Sequence, residues 1–119
     1  MISPYVHEAT VAMGPDDDAG APGAAVTLEL CGSWEHRPPC PLAPHHTQPE
    51  RNGGTVVLRV VFATEPENEA EVRRRIDRAL HGGSVTGPDG TTNHWDFLDS
   101  KAAVPTDPEA AQARRIAGS

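Results

Sequence analysis

Residues 55–63, Thr-Val-Val-Leu-Arg-Val-Val-Phe-Ala, form the most apolar segment of the chain. Apolar side chains fill both alternating sets of positions, with Arg59 as the exception. Continuous apolar runs are typical of strands that are buried on both faces, whereas a strand with one solvent-exposed face alternates apolar and polar residues. The segment therefore predicts the central strand of a β-sheet. Asn52-Gly53-Gly54, directly before it, predicts a tight turn because Asn and Gly accept the positive φ of hairpin turns.

Strongly apolar residues are scarce in the chain as a whole. Val, Leu, Ile and Phe supply 21 of the 119 residues, about 18%, while Pro and Gly supply 23. This apolar share lies slightly below the roughly 20% under which charged chains tend toward disorder. We therefore predict one small domain, residues 1–119, with a small apolar core. Such a domain benefits from an additional cross-link, such as a disulfide or a structural metal ion.

The charge balance excludes several classes of partner. Seventeen acidic residues oppose ten basic ones, for a net charge of -7, whereas nucleic-acid binding depends on Lys and Arg neutralising phosphates. The same excess of acids disfavours anionic membrane surfaces, and no segment has the apolar length of a membrane span. The first residues lack the basic and apolar regions of a secretion signal. We expect no nucleic-acid partner, no membrane association and a cytoplasmic location.

Three further segments alternate with a period of two and are predicted as strands: 5–13, 25–31 and 93–98. In the first, His7 shares the more apolar face. In the last, Trp95 and Phe97 share one face, and His94 and Asp96 share the other. Two segments rich in Pro and Gly are predicted to lack regular structure: a flexible acidic connection over 14–24 and a long Cys/His/Pro-rich loop over 32–54.

Two helices are predicted near the end of the chain. The main one covers residues 65–81, with Thr64 and Glu67 as a capping box and a buried stripe at helical spacing. That stripe consists of Val72, Ile76, Ala79 and Leu80. The run Arg73-Arg74-Arg75 is predicted to lie on the solvated face, supported by ion pairs to Glu69 and Glu71 four residues earlier.

A second capping pattern, Thr106 with Glu109, begins a short Ala-rich helix that offers only Ile116 as a large anchor, so we expect it to dock weakly. The predicted fold is α+β, with a mainly antiparallel sheet of three or four strands packed by one main helix. The predicted order of elements, three strands followed by helix, strand and helix, does not match a ferredoxin-like arrangement directly.

One segment concentrates the residues that bind metals. Both cysteines and three of the six histidines lie within residues 31–46, as Cys31, His36, Cys40, His45 and His46. Thiolate and imidazole are the ligands that tetrahedral zinc prefers, and the short spacings let the chain fold around one ion. Four prolines in the same segment restrict the loop and reduce the entropy lost on closure. We predict a zinc site here, with His7 as a possible extra ligand.

Several alternatives remain open on the residues alone. Cys31 and Cys40 could form a disulfide, although a reducing compartment disfavours it. If only three protein ligands bind the metal, the fourth coordination position stays open for a water molecule. The protein would then be a compact metalloenzyme, a hydrolase or lyase, in which His7 or His94 contributes to the site and Glu35 or Asp96 is the base.

A third possibility is a metal-free accessory domain. Under this hypothesis, as under that of a structural zinc site, Trp34 on the proline-rich loop would suit a protein partner, because aromatic anchors dominate interfaces. The chain has no phosphate-binding loop or dinucleotide fingerprint, so we expect no nucleotide or organic cofactor.

Overall fold

The computed structural model of the chain describes residues 2–117 except 32–42. Its strands are β1 (Ser3–Ala12), β2 (His45–Asn52), β3 (Thr55–Thr64), β4 (Ser84–Thr86), β5 (Thr92–His94) and β6 (Asp96–Ala103). Its helices are α1 (Ala21–Cys31), α2 (Glu69–His81) and α3 (Asp107–Ala117), and a short 3-10 turn over Pro66–Asn68 precedes α2. None of the helices in the described residues is long and apolar enough to cross a membrane.

Four strands form one antiparallel sheet in the order β2-β3-β1-β6, and β4 pairs with β5 in a separate hairpin. The prediction of an α+β fold is confirmed, and so is the inner position of β3, which pairs with both β1 and β2. Without the small hairpin, the chain order is β1-α1-β2-β3-α2-β6. This order and strand arrangement form a ferredoxin-like, split βαβ fold, to which α3 adds a third helix.

The predicted strand over 25–31 is wrong, because these residues belong to α1. Val26 and Leu30, one helical turn apart, are buried, whereas Leu28 between them is 39% exposed. So many residues here are apolar that a period of two fits nearly as well as the helical period. The Ala-rich segment before it and Pro22 in the first turn are the helix signals that the strand prediction ignored. Replacing this strand by a helix is what makes the chain match the ferredoxin-like order.

The predicted loop over 32–54 is also wrong in part, since residues 45–52 form the edge strand β2. β2 is mostly polar and exposed, so it shows no apolar alternation by which a strand could be recognised. Pro49 is tolerated within it because an edge strand has one side without ladder hydrogen bonds. The predicted turn before β3 is confirmed, and Gly53 has the expected positive φ of 62°.

The sheet has two differently covered faces. We call the side that packs against α1 and α2 the helical face; it carries Ala9, Leu58, Val60 and Phe62. We call the opposite side the outer face; it carries Val6, Val61 and Ala63, which pack against α3. Most of the apolar core lies on the helical face, where the predicted α2 residues Val72, Ile76 and Leu80 are fully buried.

The starts of α2 and α3 differ from each other in how well they were predicted. Thr64 is the last residue of β3 and α2 begins only at Glu69, so the predicted N-cap at Thr64 is wrong. Pro66 favours the extended backbone of Glu65, which delays the helix. At α3 the predicted capping box is confirmed: the Thr106 N–H donates to Glu109 at 3.0 Å, and the Glu109 N–H donates to the Thr106 hydroxyl at 3.3 Å.

The predicted strand over 93–98 is interrupted at Trp95, which separates β5 from β6. The Trp95 side chain is buried, and its Nε1–H donates to the Leu80 carbonyl at 2.9 Å. Its backbone N–H donates to the Gly83 carbonyl at 2.9 Å. These two bonds connect the end of α2 to the start of β6. The segment therefore does not continue as one strand: β5 pairs with β4, whereas β6 pairs with β1.

Candidate functional site

The structure describes only part of the predicted metal site. Trp34, Glu35, His36 and Cys40 lie outside the described residues, and so does the alternative disulfide. Cys31 is the last residue of α1, and its side chain is also outside the described part. The described candidates are therefore His45, His46, His7, His94 and Asp96.

The described residues on either side of the 32–42 segment are buried in one apolar cluster. Leu30, at the end of α1, and Ala43, just before β2, are buried in the same apolar cluster as Phe62. The Pro44 carbonyl also accepts a hydrogen bond from the Ala63 N–H at 3.1 Å, so the chain is already attached to β3 before β2 begins. Cys31 and His45 consequently follow anchored positions on neighbouring elements.

Gly23 allows α1 to lie close to β2. A Cβ atom at Gly23 would lie 2.6 Å from the Thr47 hydroxyl, a separation that real Cβ atoms essentially never show. The absence of a side chain therefore permits an approach that any larger residue would prevent. One turn further along α1, Thr27 comes within hydrogen-bonding distance of His45 on β2.

The His45 ring is held between a carbonyl and a hydroxyl. Its Nδ1 lies 3.1 Å from the Ala43 carbonyl oxygen, and its Nε2 lies 3.0 Å from Thr27 Oγ1. A carbonyl only accepts, so Nδ1 carries a proton; in the neutral ring, Nε2 then carries the electron pair that lies in the ring plane. That electron pair points toward α1. Zinc-binding histidines show the same pattern, in which one nitrogen donates to a carbonyl and the other binds the metal.

His46 occupies a different environment from its neighbour. Successive residues of a strand point to opposite faces. His45 pairs in register with Phe62 of the helical face, whereas His46 pairs with Val61 of the outer face and is exposed. In the sequence the two adjacent histidines are equivalent candidates for a ligand, but the fold directs only His45 toward α1.

His7 is buried under α2 and has both ring nitrogens engaged. Its Nε2 lies 2.8 Å from Asp77 Oδ1, and its Nδ1 lies 3.2 Å from Arg73 Nη1. A guanidinium only donates, so Nδ1 must accept, and the Nε2–H then donates to Asp77. In addition, β3 lies between the strand of His7 and that of His45. The structure therefore does not bring these two histidines together.

Arg73 contacts His7, is partly buried, and is not on the solvated face predicted for it. Its guanidinium donates to the Val6 carbonyl and to Glu69, each at 2.8 Å. Its central carbon lies 5.8 Å and 5.3 Å from the ring centroids of Tyr5 and Phe62. The prediction of a solvated position holds for Arg74, which is exposed. Both predicted ion pairs are confirmed, Glu69 with Arg73 and Glu71 with Arg75. The sequence signal that could have identified Arg73 is its position three residues before Ile76, next to the buried stripe.

His94 and Asp96 lie at the opposite end of the sheet from His45. Asp96 pairs in register with Ala12, where β1 ends, whereas His45 belongs to the row of Phe62 and Tyr5, where β1 begins. Both side chains are exposed. The His94 backbone N–H donates to Asp17 Oδ1 at 3.2 Å, which attaches the acidic turn before α1 to the β5 strand.

An ion-pair cluster on the outer face has no counterpart in the sequence-based prediction. Arg59 of β3 donates to Glu8 at 2.6 Å and to both carboxylate oxygens of Glu109 at 2.8 Å. The Arg59 guanidinium, assisted by Thr106, lowers the pKa of the Glu109 carboxyl to about 2. The cluster borders a surface groove of about 440 Å³ that Gln48 and Glu50 also line. The ion-pair cluster connects α3 to the centre of the sheet.

Within the described residues, no group of three or more His, Cys, Asp or Glu side chains is arranged to hold a metal ion. No family model and no curated protein matches the chain. A ferredoxin-like fold by itself indicates no activity, because such folds host many unrelated functions. The functional argument therefore depends on the geometry around His45.

Proposed function

We propose that this chain is a small cytoplasmic zinc-binding protein. Its ligands would be Cys31, His36, Cys40 and His45, and the bound metal would order the intervening loop and present Trp34 to a protein partner. The observation that supports this proposal is the His45 ring, whose Nδ1–H is directed to a carbonyl while Nε2 faces the helix that ends in Cys31.

Zinc chemistry fits this donor set. Zinc bonds are about 2.0–2.1 Å to imidazole nitrogen and about 2.3 Å to thiolate sulfur, so the ligands must converge within a few ångströms of one point. Cys31 comes one helical turn after Thr27, the residue whose hydroxyl contacts His45. This spacing along α1 supports Cys31 and His45 as the first and last ligands of one site.

The energetics also favour a metal in this position. The ends of the segment are anchored at Leu30 and Ala43, so less chain entropy remains to be lost when the loop closes. A structural zinc contributes about 10–16 kcal/mol in small zinc-finger peptides, which would be ample for a domain with a thin core. Neither His7, with both nitrogens engaged, nor His94, at the opposite end of the sheet, supports the alternative of an open catalytic site.

The test is native mass spectrometry of the protein purified without added metal, then after chelation, and then after titration with zinc. We expect one zinc ion per wild-type chain. His45→Ala should lower zinc affinity by more than about 100-fold, since losing even an outer-shell partner of a ligand costs about 10–100-fold. His46→Ala is the matched control, because it removes the same side chain one residue away, and it should bind zinc like the wild type.

Cys40→Ser extends the test to a ligand in the 32–42 segment and should lose zinc as His45→Ala does. The proposal is contradicted if the zinc-treated wild type keeps the mass of the apoprotein while remaining folded. It is equally contradicted if His45→Ala and His46→Ala bind zinc with the same affinity.

A further inference from the structure

Strand β6 is an edge of the main sheet, and within the described residues its strand partner is β1 alone. An edge strand presents a row of backbone N–H and C=O groups that can bond a further strand. We propose that β6 pairs antiparallel with β6 of a second copy of this chain. The pairing would join the two four-stranded sheets into one continuous sheet. This inference does not depend on the proposed zinc site.

The other edge strand of the sheet, β2, is less suited to such pairing. Pro49 lies within β2 and has no N–H to donate to a neighbouring strand. Prolines on edge strands are a common means of preventing edge-to-edge association. β6 contains no proline, and from Asp99 to Ala103 it pairs with β1 in an unbroken register. This part of β6 is therefore regular enough to continue the sheet.

The charges on β6 decide how two copies align. Facing residues of an antiparallel pair are either both hydrogen-bonded or both not, and the two kinds alternate along a strand. A twofold pairing therefore places one residue opposite its own copy. With Asp99 or Lys101 at that position, two like charges would face each other. Only with Ser100 there does Asp99 of each copy lie opposite Lys101 of the other.

Asp99 and Lys101 are placed to make this contact. Both are exposed, and both lie on the outer face, because they pair in register with Thr10 and Glu8 of β1. The Lys101 amino group lies 3.7 Å from a Glu8 carboxylate oxygen, and its side chain is still 67% exposed. Opposite charges that face each other across two strands stabilise a sheet, whereas like charges destabilise it. The symmetric pairing therefore makes a charged edge complementary to itself.

Exposed apolar side chains lie at both ends of the same edge. Leu98 is 54% exposed and Val104 is 85% exposed, the two highest values among the exposed large apolar residues that the structure describes. In the antiparallel pairing centred on Ser100, the Leu98 end of each strand lies beside the Val104 end of the other. Pairing would therefore also cover apolar surface that a single copy leaves in water, which favours association.

The experiment is analytical ultracentrifugation of the full chain from about 10 µM to about 1 mM, with a reductant present so that disulfide-linked dimers do not contribute. One strand from each copy makes the contact, so we expect a weak dimer that dissociates on dilution. Asp99→Lys and Lys101→Glu each place like charges at both facing positions, and each should weaken the dimer about tenfold or more. Glu50→Lys, on the opposite edge strand β2, is the matched control and should dimerise like the wild type.

A mixture of the two charge variants tests the register directly. Asp99→Lys and Lys101→Glu together restore opposite charges at both facing positions, so an equimolar mixture should form a heterodimer with about the affinity of the wild type. Recovery in the mixture also shows that each variant alone is folded.

A wild type that remains monomeric at about 1 mM overturns the inference. So does a dimer that resists both substitutions. A second measurement uses the wild type alone: raising its concentration should slow hydrogen exchange in β6 and leave β2 unchanged. Slowing confined to β2 would place the contact at the other edge and would also overturn the inference.

Discussion

Helices α2 and α3 lie on opposite faces of the same sheet and are held there in different ways. α2 buries Val72, Ile76 and Leu80 in the largest apolar cluster, and Arg73 and Asp77 add polar contacts to β1. α3 buries no large apolar side chain; its fully buried residue is Ala113. In addition to this apolar contact, α3 is attached to the sheet by the ion pair between Glu109 and Arg59.

The difference shows how a chain with few apolar residues covers two faces of a sheet. One face takes most of the apolar side chains, and burial there stabilises the fold without directional constraints. The other face depends on a charged pair whose hydrogen bonds require one geometry. The expectation that α3 docks weakly considered apolar anchors alone and did not include Glu109, whose ion pair with Arg59 joins the helix to the sheet. We therefore expect α2 to resist acid and salt, and α3 to be sensitive to both.

The largest effect should come from shortening a core side chain of α2. Ile76→Ala removes a fully buried side chain from the helical face and should lower the free energy of unfolding by about 2–5 kcal/mol. Chemical denaturation of the whole domain measures it. As a control, Ala113→Gly on α3 should cost about 1 kcal/mol. Equal losses of unfolding free energy in the two variants would contradict the view that α2 contributes more apolar burial than α3.

A smaller effect is expected when the ion pair on the outer face is removed. Glu109→Gln keeps the size of the side chain but replaces a charged partner of Arg59, and should cost about 1.5–3 kcal/mol. Hydrogen exchange should show the loss mainly in α3, with the amides of α2 still protected. Uniform loss of protection over both helices would contradict local detachment of α3.

The attachment of α3 should also depend on pH. Because Arg59 lowers the pKa of Glu109 from 4.5 to about 2, the pair stabilises the folded protein fully above about pH 4.5. That contribution is lost as the pH falls through 2. Glu109→Gln should remove this part of the acid dependence of stability. Glu71→Gln is the control: its carboxyl also has a pKa of about 2, but it is exposed on α2, so its contribution is weakened by solvent.

The smallest effect distinguishes the partly buried Arg73 of α2 from its exposed neighbour Arg74. Arg73→Gln loses the bond to the Val6 carbonyl and the contacts with Tyr5 and Phe62, so we expect a loss of about 1–3 kcal/mol. Arg74→Gln should cost less than about 1 kcal/mol, as is usual for surface ion pairs. Thermal unfolding of the two variants gives the comparison, and equal shifts would place both arginines in the same environment.

Sequence patterns predicted the elements whose signals are local. The apolar run of β3, the alternation of β1, the buried stripe of α2 and the capping box at Thr106 all depend on residues a few positions apart. The patterns failed for α1 and β2. The first is so apolar that two periods fit, and the second is an exposed edge strand whose partner, β3, supplies the hydrogen bonds that define it.

The candidate site divides in the same way. The sequence by itself determined the clustering of cysteines and histidines within residues 31–46, on which the proposed zinc site depends, because this clustering is visible without any fold. Only the tertiary structure distinguished among the described histidines. Strand β2 directs His45 to the helical face and His46 to the outer face, and α2 encloses His7 with Asp77 and Arg73. These environments depend on contacts between elements distant in the chain, which no short sequence window contains.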